Sequence, residues 1–137
     1  VDEHSRDVAP PVWVPREGMD LPQFGVAGGH SNIGGSYPPD KDGSLLSDVT
    51  LDWMIAEAGQ AGLTLEVHLE KNMHANPMAT LHNSRRTFYR VRKKFLRRIA
   101  HGKGPVLIHD SVRQRWERDP GYRPKNLQEY IAVHGWP

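Results

Sequence analysis

Cysteine is absent from the 137 residues. Disulfides and Cys-ligated zinc are thereby excluded, and nothing indicates a redox compartment. No apolar run approaches the roughly 20 residues that span a bilayer. The opening Val1-Asp2-Glu3-His4-Ser5-Arg6-Asp7 is polar, with neither an initiator Met nor the apolar core of a signal peptide. These features lead us to expect a fragment of a larger protein. The last shortage is local. Between Asn83 and Gly104 there is no acid, against nine Lys or Arg residues. That leaves nine of the 18 basic residues to face all 16 acids elsewhere, so the net charge of +2 joins one basic segment to an acidic body.

What the chain has in quantity is turn-formers. Its 13 Gly and 11 Pro imply many turns and little regular structure. A hydrophobic share of 37% supports a modest core, and the length suits one domain of roughly 100–150 residues. The chain is organised around Gln23–Tyr37. Phe24-Gly25-Val26-Ala27 is too short for a helix and reads as a buried strand. Two glycines, the polar triplet His30-Ser31-Asn32, Ile33 and two more glycines follow, a composition suited to a sharply turning backbone. A histidine at the C-terminal end of a buried strand stands where α/β proteins bind their ligands.

Residues 1–22 read as a connecting stretch limited by Pro10, Pro11, Pro15 and Pro22, with Val12-Trp13-Val14 as a short edge strand. Ser47 reads as an N-cap and Asp48 as a favourable first-turn charge. The helix that follows, over 47–59, offers Leu51, Met54, Ile55 and Ala58 as its core face and stops at Gly59 and Gly62. Leu63–Val67 is a short strand or extended coil. Phe88, Val91, Phe95 and Ile99 are spaced for a basic amphipathic helix after Ser84. Val106-Leu107-Ile108 reads as another strand, followed by a short helix through Glu117 capped by Asp110 or Ser111. Pro120, Pro124 and Pro137 then mark an irregular tail.

His30 is the principal candidate for chemistry, because a neutral imidazole can take a proton from a hydroxyl and return it to a leaving group. Gly29, Ser31, Asn32, Gly34 and Gly35 form its supporting loop. Ser31 is a poor nucleophile candidate. In the Gly-x-Ser-x-Gly elbow small residues flank the serine, and here Ile33 occupies the place of the second glycine. His68, His74 and His82 show no metal-ligand spacing, so no metal or other cofactor is expected. Arg90, Lys94, Arg97 and Arg98 are candidates for gripping phosphates, of an anionic membrane surface or of nucleic acid. The helical spacing of Phe88 and Phe95 suits core contacts better than base stacking and argues against nucleic acid.

Four strings carry a family resemblance. Gly28-Gly29-His30-Ser31-Asn32-Ile33-Gly34-Gly35-Ser36-Tyr37-Pro38 leads, with Leu46-Ser47-Asp48 and Leu51-x-Trp53-Met54 after it. Asp2-Glu3-His4-Ser5-Arg6, Ile108-His109-Asp110-Ser111-Val112 and Tyr122-Arg123-Pro124-Lys125-Asn126-Leu127 complete the set. Together they resemble the uncharacterised α/β-hydrolase domain of type VI secretion phospholipase effectors, along nearly the whole chain. The family usually has Asp where this chain has Asn32, and a third glycine where it has Ser36.

The resemblance implies a Ser-Asp-His triad in which His30 is the histidine. The nucleophile, the oxyanion hole and the acid would then come from an upstream part of the same domain, with Asp2 a weak substitute for the acid. It further implies an α/β fold. Residues 1–137 would be the C-terminal portion of one hydrolase-like domain, a partial sheet with packed helices and a long irregular C-terminal region. The expected substrate is an ester, plausibly a phospholipid, and the chain alone is expected to be inactive and to expose apolar surface. Two other expectations stand beside this one: a non-catalytic module binding anionic membranes or nucleic acid through residues 85–98, and a degenerate hydrolase domain kept as a scaffold.

Overall fold

A computed structural model of the chain describes residues 1–3, 12–66, 68, 71–83, 95, 97–99 and 106–136. Among these residues six elements appear in the order β1 (Phe24–Gly25), α1 (His30–Ile33), α2 (Ser47–Gln60), β2 (Leu107–Ile108), α3 (Asp110–Arg118) and α4 (Lys125–His134). The chain is mixed α/β. β1 and β2 pair in parallel, with Phe24 opposite Leu107 and Gly25 opposite Ile108. The N–H groups of Leu107 and His109 donate to the carbonyls of Gln23 and Gly25 at 2.9 and 3.1 Å. Along the opposite edge, the nitrogens of Val1 and Asp2 donate to the carbonyls of Val26 and Gly28 at 2.7 and 3.2 Å. Three extended segments thus run side by side in one direction, with the His30 strand in the middle.

One core closes around these segments. Ala27, Ile108, Val112, Tyr122 and Leu127 are buried together, and Val112 and Leu127 are wholly inaccessible. Leu46, Val49 and Ala79 form a second, smaller cluster, and Leu81 touches both. Arg115 is buried beneath the first cluster. Its guanidinium donates to the carbonyls of Pro77 and Ala79 at 2.8 and 2.9 Å and lies 5.5 Å from the centre of the Tyr122 ring. Asn126 is buried as well, and its amide donates to the carbonyls of Val1 and Arg97, both at 2.9 Å. Described parts of the four strings therefore meet in space: Asp2 accepts from Gly28 and from Tyr122, and Ile108, Val112, Tyr122 and Leu127 share one core.

Several expectations need correction. The tail is not irregular, because α4 spans Lys125–His134 with Pro124 as its N-cap at φ −60°, the angle a proline ring imposes. Its Leu127, Tyr130 and Ile131 face the core at helical spacing. α2 runs over the expected residues but is capped by Leu46, not Ser47, and Gly59 lies inside it. Its expected core face is half wrong: Leu51 and Met54 are 47% and 51% exposed. The helix instead buries Asp48 and Val49 at its start and sets Trp53 edge-on to Phe24 at 5.3 Å. Asp48 is fixed there by accepting the His74 N–H at 2.9 Å.

α3 is capped by His109, not by Asp110 or Ser111; the Ser111 N–H donates to its ring. Val12–Val14 is not a strand. The side chain of Gln23 accepts the Trp13 N–H at 2.8 Å and donates to the Trp13 carbonyl at 3.0 Å, doing what a neighbouring strand would do. Residues 63–66 form neither strand nor helix, and Val67 lies outside the described residues. Arg90 and Lys94, with most of the expected basic helix, lie outside the described residues. Phe95, Arg97, Arg98 and Ile99, which are described, are not helical.

Candidate active site

The C-terminal ends of the three parallel segments deliver Asp2-Glu3, Gly28-Gly29-His30 and His109 to one edge. The backbone must turn abruptly after Ala27, and Gly28 makes this turn at φ +107°. A Cβ there would lie 2.6 Å from the Cβ of Asn32, so the position is closed to any side chain. Gly29 is extended and caps α1. Of the remaining glycines in the loop, Gly35 also requires the left-handed region, at φ +75°, whereas Gly34 does not.

Glu3 meets His30 twice. Its Oε2 accepts the His30 backbone N–H at 3.0 Å and lies 2.8 Å from the His30 ring Nδ1. The Glu3 side chain is 7% exposed and the His30 side chain 40%. A buried carboxylate is an acceptor, so Nδ1 carries the proton in this contact and Nε2 holds the lone pair. Nε2 is hydrogen-bonded to no group among the described residues. The arrangement is a buried acid, an oriented imidazole and a basic nitrogen left for a third group.

Asp2 has a different task from the acid role weighed for it. Its Oδ2 accepts the Gly28 N–H at 2.7 Å and the Tyr122 hydroxyl at 2.9 Å. Burial first, and the Asp2 carboxylate second, push the Tyr122 phenol well above its ordinary pKa, so it remains a donor. Asp2 thus anchors the turn, and Glu3 one residue later orients the histidine. Neighbouring residues of an extended segment point in opposite directions, which is why only one of the pair reaches the ring. An acidic residue beside the strand's neighbour was the signal in the sequence, but its assignment to Glu3 required the register.

The remaining loop residues are structural. Asn32 is buried and does not touch the imidazole. Its Nδ2 donates to the His82 carbonyl and its Oδ1 accepts the His82 N–H, both at 2.9 Å. The Ser31 carbonyl accepts the Ser36 N–H at 3.0 Å, folding the loop back on α1. Among the described residues, the serine hydroxyl that contacts a histidine ring is that of Ser111, 2.9 Å from His109 Nδ1. Ser111 is only 3% exposed and the contact belongs to the α3 cap, so it is no nucleophile.

Beside α1, a cleft lined by Ser31, Asn32, Tyr37, Asp40, Ser44 and His82 has a volume of about 10 Å³, room for about one water. Across β1 lies a groove of about 140 Å³, lined by Phe24, Val26, Ile33, Ile99 and Val106 with Arg97 and Arg98 at its side. These two arginines are the described part of the anion-binding set. No group of three or more metal-ligating side chains occurs among the described residues. No helix among them is long and apolar enough to cross a membrane. Compared with protein families, curated proteins and solved structures, the chain matches none.

Proposed function

We propose that the chain supplies the general-base histidine of a serine ester hydrolase of α/β-hydrolase type, with Glu3 as its orienting acid. The observation that carries this reading is the 2.8 Å contact between buried Glu3 and His30 Nδ1. A carboxylate on Nδ1 holds the tautomer in which Nε2 can accept a hydroxyl proton, and it stabilises the imidazolium that results. His30 then returns that proton to the leaving alcohol, so the ring ends each half-reaction neutral. The attacking serine and the oxyanion donors come from a segment outside the described residues. The substrate is a carboxylic ester, and the resemblance in sequence favours a phospholipid.

Intact-mass measurement after fluorophosphonate treatment tests the reading. We expect no adduct on the 137-residue chain, and one adduct when it is expressed with its upstream coding region. The His30→Ala variant of the longer protein should label roughly 10²–10⁴-fold more slowly. Labelling that is indifferent to His30 would overturn the proposal.

A second reading rests on the groove beside Arg97 and Arg98, which places two cations against an apolar wall. A surface of that kind suits an anionic membrane. Liposome binding that survives His30→Ala but is lost on charge reversal at Arg97 and Arg98 would favour it.

A further inference from the structure

α1 is a single turn of four residues, and a helix this short has no stability of its own in water. Its orientation, and with it that of His30, must be imposed from outside. Glu3 holds the first residue of the turn. The second hold is Asn32, two residues on, which is 5% exposed. Its amide reads both backbone polar groups of His82, 50 positions away in sequence, at 2.9 Å each. Its Cβ rests against the Gly28 backbone so closely that no side chain fits there.

From this geometry we infer that Asn32 is a positioning residue for His30, acting through the His82 backbone; the inference rests on the hydrolase reading above. The contact demands an amide. One donor and one acceptor at the correct spacing are needed, and among short side chains only Asn carries them on two separate atoms at neutral pH. An ionised Asp would accept the His82 N–H but set its second oxygen against the His82 carbonyl. Ala would leave both half-buried backbone groups of His82 without this partner. The His82 ring is not part of the hold. It stacks on Tyr37, with centroids 4.1 Å apart, while the Asn32 amide bonds to the His82 backbone.

Two measurements on Asn32→Ala, Asn32→Asp and His82→Ala test the role. The first is nitrogen-resolved NMR of the His30 ring in the 137-residue chain, which reports whether Nδ1 or Nε2 carries the proton. The second is hydrolysis of p-nitrophenyl butyrate by the protein expressed with its upstream coding region. For Asn32→Ala we expect a folded chain by circular dichroism, a mixed His30 tautomer, and kcat down roughly ten- to a hundredfold, with KM within about twofold because substrate contacts are untouched. Asn32→Asp, which keeps one of the two bonds, should fall between Ala and wild type. His82→Ala should match wild type in tautomer and remain within about twofold in kcat.

A folded Asn32→Ala chain with an unchanged tautomer and unchanged kcat would overturn the inference. So would a His82→Ala variant as impaired as Asn32→Ala, since the ring would then be the part that matters. If Asn32→Ala does not fold, Asn32→Asp is read by the same criteria; if neither folds, Asn32 holds the domain as a whole and the positioning role is wrong. A wild-type protein with the expected tautomer but no ester cleavage would sink the hydrolase reading alone, leaving the NMR comparison to decide on Asn32.

Discussion

α2 and α3 differ in what they carry and in what they bury. α2 has seven apolar residues in 14, yet Leu51 and Met54 stand half exposed and only Asp48 and Val49 are buried. α3 has two apolar residues in nine, Val112 and Trp116, yet Val112 is wholly buried and even Arg115 is 6% exposed. Apolar content did not decide burial; the available partner did. α3 follows β2 directly and has Tyr122 and Leu127 of the next segments to close over it. Among the described residues α2 meets α1, Phe24 and the short 74–81 segment, and none of them covers Leu51 or Met54. The Glu3 segment is tied to the well-packed cluster by the Tyr122 hydroxyl, which donates to Asp2, whereas α1, which begins at His30, packs on α2.

The contrast can be broken most forcefully by mutation of the core. Leu127→Ala should destabilise the chain by about 2–5 kcal/mol in urea unfolding. Leu51→Ala on α2 should stay within about 0.5 kcal/mol. Equal costs would mean that the outer face of α2 is covered after all. Next in size is Tyr122→Phe, which removes a hydrogen bond to an ionised carboxylate and should cost about 1–3 kcal/mol.

The same tyrosine makes a pH prediction. Its folded pKa is raised above 10.0, the value at which the unfolded chain ionises, so its contribution is complete below pH 10.0 and declines as pH rises beyond it. Tyr122→Phe should lose that alkaline decline. The smallest effect is at the acid end. Hydrogen bonds from Thr80 and Ser44 hold Asp40 and Asp42 below their ordinary 3.8. Their contribution is therefore present above pH 3.8 and lost as pH falls below it. Both groups are exposed, so Asp42→Asn should flatten the acid side of the stability curve only slightly.

The parts of the fold that could be read from sequence were the locally determined ones. β1, β2 and the extent of α2 follow from short apolar runs and periodicity, and the position of His30 after a buried strand follows from the glycines around it. α4 was legible too, in Leu127, Tyr130 and Ile131, but Pro124 and Pro137 were read as breakers when the first is in fact a cap. The exposed face of α2 was not legible, because a helical stripe shows what could be buried and not what is there to cover it. Likewise Glu3 and Asp2 exchange roles with a one-residue change of register, and the Asn32–His82 contact joins residues that nothing local relates. The candidate site was half legible in sequence: the turn that presents His30 could be read, and its contact with Glu3 could not.

The central claim is that Glu3 fixes the tautomer of His30, and NMR of the ring nitrogens tests it most directly. In the wild-type chain above the imidazole's titration, we expect Nδ1 to carry the proton and Nε2 to appear as the lone-pair nitrogen. Glu3→Ala should yield a tautomer mixture, and Asp2→Asn should leave the wild-type pattern in place. A wild-type ring protonated on Nε2, or one unchanged by Glu3→Ala, would contradict the account.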